Sequence, residues 1–175
     1  MDLEKKLIVG RNESVDFARY AKNIPAKVDT GADSSSIWVS NIRVDRNGVL
    51  RFSLFGEGSQ FYTGKTIKRE QYRVAVVKSG HGHEQLRYRA QLSVRIANKK
   101  IRAMFNLADR SQHAFPVLIG RRTLSGKFIV DVTQATYADP ERTMTKQLNK
   151  KLSKDPYKFY KRHYKKTGLS MRKKP

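Results

Sequence analysis

The sequence predicts an all-β domain, closed or sandwich-like, followed by a short helix and a basic tail. Three observations predict it. Short runs with period-two alternation or β-branched enrichment recur through residues 6–132, with turn residues between them. Asn47-Gly48 and Ala97-Asn98 sit between such runs as tight turns, the second joining two strands into a hairpin. After Tyr137 the composition changes and lysine-rich, helix-compatible sequence begins.

In chain order the expected strands are residues 6–10, 26–29, 42–44, 50–55, 72–77, 87–96, 100–105, 117–119 and 127–132. They place residues 1–138 in one small β domain and leave residues 139–175 as an extension. Asp139-Pro140 reads as a helix start, with the aspartate as cap and proline at the first helical position. Met144, Leu148 and Leu152 then recur every four residues, which predicts an amphipathic helix ending near Asp155-Pro156. Beyond it aromatics alternate with lysine and arginine, and the chain holds no internal repeat.

A chain of 175 residues can bury one ordinary core with a terminal extension left over. The absence of cysteine excludes a disulfide framework, a zinc–cysteine site and a thiol nucleophile. The N-terminal sequence has acidic residues and no extended apolar region, and the apolar stretches are too short to span a bilayer. A soluble, cytoplasmic protein without a membrane partner is expected.

The formal charge is +22, and it is divided between the two parts. Residues 139–175 hold 13 Lys or Arg against 3 acidic residues, and residues 1–138 hold 24 against 12. Both parts therefore attract polyanions: nucleic acid, an anionic surface or an acidic polypeptide.

The chemistry-bearing motif is Asp29-Thr30-Gly31-Ala32. An aspartate, a hydroxyl residue and a glycine after an apolar strand form a turn that presents a carboxylate. The glycine is expected to let the backbone turn sharply, and the threonine hydroxyl to tie the turn to a neighbouring backbone. Such triplets also occur in ordinary turns. A second segment, FPVLIGRRTL at residues 115–124, gives an apolar run, a glycine and a helix start, and Gly120 follows Asp29 by 91 residues.

Together AKVDTGAD and VLIGRRTL resemble the paired signature of the retropepsin-like aspartic proteases, with the resemblance covering roughly residues 20 to 132. KVDTGADSS, LADRSQHAFPVLIGRRTL and FIVDV are similar, more narrowly, to a bacterial retropepsin-like family formerly labelled ATP-dependent zinc protease. Members of that family are associated with glutamate ligases, and some are understood as α-glutamyl endopeptidases. The resemblance implies a small closed β-barrel of retropepsin type and an aspartic peptidase without cofactor.

Aspartic proteolysis needs two carboxylates sharing one proton. With a single DTG, a two-fold homodimer pairing two copies of Asp29 is the simplest arrangement, with Thr30 bracing the two loops and Gly31 permitting their approach. Asp33, Asp109 and Asp131 are rival carboxylates, each with an alternative reading as an ion-pairing or turn residue. Ser79-Gly80-His81-Gly82-His83-Glu84 stands where the resemblance puts a flap tip, with a mobile surface hairpin as the plainer alternative. His81 and His83 share one strand face, but His113 is the only other histidine before residue 139 and no HExxH helix exists, so no metal is expected.

The candidate substrate-binding residues are Arg87, Arg89, Arg110, Arg121, Arg122, His81 and His83, the arginines being suited to bidentate contact with carboxylates. An acidic, glutamate-rich polypeptide is the expected substrate. In the tail, Lys158, Lys161, Arg162, Lys165 and Lys166 interleave with Tyr157, Phe159, Tyr160 and Tyr164. That pattern supports contact with nucleic acid or a ribosome, or a solvated extension. The rival reading of the whole chain is a nucleic-acid-binding module whose DTG is only a turn.

Overall fold

The computed structural model describes residues 6–78, 84–138 and 140–163. Its elements are β1 (Leu7–Val9), β2 (Asn12–Phe17), β3 (Ala21–Asp29), β4 (Ser35–Val44), β5 (Leu50–Leu54), β6 (Thr66–Arg69), β7 (Tyr72–Lys78), β8 (Glu84–Ile96), β9 (Lys99–Ala108), β10 (Val117–Gly120), α1 (Arg121–Leu124), β11 (Phe128–Val130), α2 (Pro140–Lys154) and α3 (Pro156–His163). The chain divides into two units, residues 1–137 and 138–175.

In the first unit a six-stranded barrel closes in the order β10-β3-β2-β8-β9-β4, with β4 returning to β10. Closure leaves those strands without free edges. β5 and β6 continue outward from β4, and β7 pairs with the N-terminal half of β8. β1 and β11 form a separate parallel pair. This is the small closed β-barrel that the sequence predicts.

The alternation of β8 and β9 sorts their side chains. Ala90, Leu92, Val94 and Ile96 are buried on one side of β8, with Ala103 and Phe105 opposite Leu92 and Ala90 on β9. Phe105 meets Phe17 edge-on at 5.5 Å between ring centroids, and Ile24, Ile37 and Ile119 complete the centre of the core. The Ala97-Asn98 hairpin forms as expected, with both residues at positive φ (44° and 64°), the geometry of a two-residue turn matched to strand twist.

Two strands go beyond the expectations. β2 reads NESVDF and hides a polar residue, because Asn12 imitates a strand partner: its Nδ2 donates to the Tyr137 carbonyl at 3.0 Å and its Oδ1 accepts the Tyr137 N–H at 2.8 Å. β6, with Ile67 as its one buried side chain, owes its place to pairing with β5.

In the second unit the predicted helix is α2. The segment read as tail is helical through His163, since Asp155 caps α3 by accepting the Lys158 N–H at 2.9 Å and Pro156 takes the first position. Residue 139, the expected cap of α2, lies outside the described residues. No helix among the described residues is long and apolar enough to cross a membrane.

Candidate active site

Asp29 ends β3, level with Gly120 at the end of β10, and residues 30–34 then bend back into β4. β10 lies between those two strands, parallel to β3 and antiparallel to β4. The bend therefore lies at the C-terminal end of β10.

Hydrogen bonds fasten this loop on two sides. The first amides of α1 donate into it, Arg121 N–H to the Ala32 carbonyl at 2.8 Å and Arg122 N–H to the Asp33 carbonyl at 3.1 Å. Helix-start amides need such acceptors. Beneath them Gly120 N–H donates to Ser35 Oγ at 3.0 Å, and Ser35 Oγ shares a buried 2.7 Å hydrogen bond with Thr123 Oγ1. From β9, Asn106 Nδ2 donates to Ser34 Oγ at 3.0 Å.

The half-buried Asp29 carboxylate accepts two loop amides on one oxygen, with Gly31 N–H at 3.0 Å and Ala32 N–H at 3.1 Å from Oδ1. Among the described residues Oδ2 has no hydrogen-bond partner. Gly31 does not take the positive φ that a sharp glycine turn suggests; its value is proximity, since a Cβ there would stand 3.3 Å from Asp29 Oδ1. Thr30 is exposed, and among the described residues its hydroxyl makes no hydrogen bond.

The rival carboxylates are each engaged locally. Asp33 accepts Arg122 Nε at 2.9 Å and faces Arg121 Nη2 at 3.4 Å. Desolvation pushes its carboxyl up, but the hydrogen bonds and charges of Arg122 and Arg121 outweigh that and hold it below its ordinary value. Asp109 accepts the Ser111 N–H at 2.8 Å, and that backbone bond chiefly lowers it. Asp131 accepts Thr133 Oγ1–H at 2.6 Å, the main cause of its lowering, together with the Thr133 N–H at 2.9 Å.

The structure brings one of the predicted arginines, Arg110, to Asp29, and sets Arg87 beside Arg110. Arg110 is half-buried and donates through Nε and Nη2 to the Phe115 carbonyl at 3.3 and 3.2 Å. Burial lowers its guanidinium from the ordinary value, the charge of Arg87 pushes the same way, and the Asp29 carboxylate opposes both. Arg87 donates to Gln85 Oε1 at 2.9 Å on the same face of β8 as Arg89. Arg121 and Arg122 instead hold Asp33.

Residues 79–83, with His81 and His83, lie outside the described residues, as do Lys165 and Lys166. Lys158, Lys161 and Arg162 are exposed on α3.

Sequence reasoning missed His113 as a neighbour of Arg110 and Arg87. It also missed Arg73, Arg102 and Lys127, which line a recess with Arg89 and Arg122. The available signal was hairpin register, because Arg73 and Arg89 face each other across β7 and β8.

Comparison with known proteins agrees with this geometry. The RimB-like family profile, described as retropepsin-like aspartic endopeptidase RimB, matches residues 8–141. A probable alpha-L-glutamate ligase of Shewanella pealeana is 27% identical over 136 residues, 75% of this chain and 30% of that protein. One of Desulfotalea psychrophila is 26% identical over 134 residues, 74% of this chain and 29% of that protein. The chain thus matches under a third of the length of either relative. A crystal structure of a Legionella pneumophila protein of unknown function superposes with a TM-score of 0.58 at 25% identity, covering 74% of this chain and 95% of that one. The matched segment holds the DTG loop, the strand beneath it and the arginines around it: the chain belongs to the RimB-like family of retropepsin-like aspartic endopeptidases.

Proposed function

We propose that the protein hydrolyses peptide bonds in a glutamate-rich polypeptide, using the Asp29 carboxylates of a symmetric homodimer. The observation that carries this reading is the contrast among carboxylates. Asp33 and Asp131 have both carboxylate oxygens engaged by local donors, whereas Asp29 keeps one oxygen without a partner among the described residues. A second copy of the chain is then the natural source of the second carboxylate. Exposed Thr30, beside Asp29, is free to brace the partner loop.

Two carboxylates held close cannot both ionise, so the pair carries one proton. The ionised member takes a proton from a water whose oxygen attacks the scissile carbonyl carbon, while the protonated member hydrogen-bonds the carbonyl oxygen. Collapse of the tetrahedral intermediate re-forms the carbonyl and breaks the C–N bond, as the nitrogen takes the proton that the first carboxylate gained from water and the pair returns to one shared proton.

Arg110 and its neighbour Arg87 supply the preference for acidic substrate, because the Arg110 charge stands near the reacting carboxylate, Arg87 adds to it, and both suit a glutamate side chain. Similarity to a segment of proteins named as probable glutamate ligases supports the same substrate chemistry.

The test incubates wild type and Asp29→Asn with poly-α-glutamate and with a neutral peptide, followed by mass spectrometry. Cleavage of the acidic polymer alone, lost in Asp29→Asn with the fold retained, is expected; full activity in that variant overturns the catalytic assignment. Sedimentation of the active species at the 20.2 kDa of one chain overturns the dimer.

The C-terminal unit supports a second, compatible role in nucleic-acid contact. On α3 Tyr160 is exposed among cations, while Lys161 lies 4.8 Å over the Tyr157 ring and so leaves Tyr160 the better stacking surface. RNA affinity that survives a combined Tyr160→Ser, Lys158→Gln, Arg162→Gln substitution excludes it.

A further inference from the structure

A recess of about 280 Å³ opens where β7, β8, β9 and α1 meet. Its lining includes Arg73, Arg89, Arg102, Arg122 and Lys127 and, among the described residues, no acidic one. Like charges gathered in a concave wall raise one another's energy and concentrate counter-ions. Arg122 alone of the five has a carboxylate partner among the described residues, Asp33.

Two polar atoms distinguish this recess from ordinary surface charge. Arg89 Nε is buried and has no hydrogen-bond partner among the described residues, so no protein acceptor offsets the charge of this lining guanidinium at that atom. Ser34 Oγ accepts from Asn106 Nδ2, which leaves its own hydrogen for a ligand at the rim. Paired strands β7, β8 and β9 carry Arg73, Arg89 and Arg102, so the backbones beneath those three donors are held in fixed register.

We propose that this recess is a second anion site that takes a short run of linked oxyanions. At about 30 Å³ per water molecule, its volume equals roughly nine waters, room for more than one oxyanion group. Adjacent carboxylates of a glutamate run and a condensed phosphate share that chemistry. The assignment is independent of catalysis by Asp29, because it concerns binding alone. It places a ligand against the side chain that holds Asp33, four residues after Asp29.

Calorimetric titration of the full chain with inorganic tripolyphosphate, and separately with tetra-α-glutamate, tests the site. Wild type is expected to bind at least one probe saturably, one per chain. Arg102→Gln with Lys127→Gln should weaken that binding at least tenfold. Lys151→Gln with Lys154→Gln removes the same charge from the C-terminal unit and should change it less than twofold. Tripolyphosphate has no peptide bond for the Asp29 site to act on, so its titration reads the recess apart from catalysis. Arg73→Gln provides a second reading should the double variant fail to fold. The probe that binds identifies the source of the oxyanions. Absence of saturable binding by both probes, or equal weakening by both double variants, overturns the proposal in favour of a diffuse field. Neither outcome bears on whether Asp29 cleaves peptides.

Discussion

Asp29 and Gly120 face each other across the parallel β3–β10 pair, and a Cβ on Gly120 would lie 2.6 Å from the carbonyl carbon of Ser34. The contact is backbone to backbone, so a clash cannot be relieved by turning a side chain. Gly120→Ala should therefore displace the loop at residues 30–34, costing about 1–3 kcal/mol of stability. Peptidase activity should fall by more than the loss of folded protein explains. Thermal unfolding and activity per folded molecule, measured together, check this; a variant with wild-type activity refutes the tight-loop account.

Ser35 is the polar post under the same loop. Its hydroxyl accepts the Gly120 N–H and is bonded to Thr123 Oγ1, all buried. Ser35→Ala leaves the Gly120 N–H without an acceptor and should cost about 1–3 kcal/mol, whereas Thr123→Val should cost about 1 kcal/mol. The double variant should lose less than the two losses added, since both act through one oxygen. Strict additivity in denaturant unfolding would show that the two hydroxyls act separately.

These loop bonds also show why part of the fold was legible and part was not. The β8–β9 hairpin and the paired DTG and VLIG segments were readable, because turn chemistry and apolar runs are local properties. β3 was read only from Ala26, because Pro25 reads as a break. The structure accommodates it: β10 pairs with β3 only from Ala26 onward, so Pro25 has an unpaired side where no N–H is needed. β2 was missed because its buried Asn12 is satisfied by Tyr137, 125 residues away, which no window reveals. α3 was missed although Asp155-Pro156 repeats the signal recognised at Asp139-Pro140. At the site Asp29 was legible as a motif, but the gathering of His113, Arg87 and Arg110 depends on folding.

That gathering predicts a stability change with pH. Partial desolvation and the charges of Arg110 and Arg87 lower the His113 imidazole below 6.5, with Asp109 opposing. The residue is largely exposed, so we ascribe more of the effect to the two guanidinium charges than to burial. A folded-state value below the unfolded one means that the unfolded chain binds the proton first. Stability should therefore decline as pH falls from about 6.5 through the lowered value. His113→Gln should remove that decline. The lowered Asp33, Asp45, Asp109 and Asp131 act in a separate window, their stabilisation being lost only as pH falls below 3.8. Melting temperatures of wild type and His113→Gln that run parallel from pH 7 to 5 would rule the effect out.

In the proposed function Arg87 and Arg110 act on substrate through charge, which would separate them from residues that merely shape the site. Arg110 is held by the Phe115 carbonyl, so its guanidinium keeps its place without a carboxylate partner. Replacing either with glutamine should raise KM for a glutamate-rich peptide several-fold and leave KM for a neutral peptide little changed. Added salt should weaken wild-type selectivity for the acidic peptide and affect the double Arg87→Gln, Arg110→Gln variant less, because screening acts on charges still present. A general structural fault in the double variant would instead lower kcat for both peptides at every ionic strength. Steady-state kinetics on the two peptides at low and high salt distinguish the two outcomes, and an unchanged acidic-to-neutral KM ratio would remove both arginines from substrate selection.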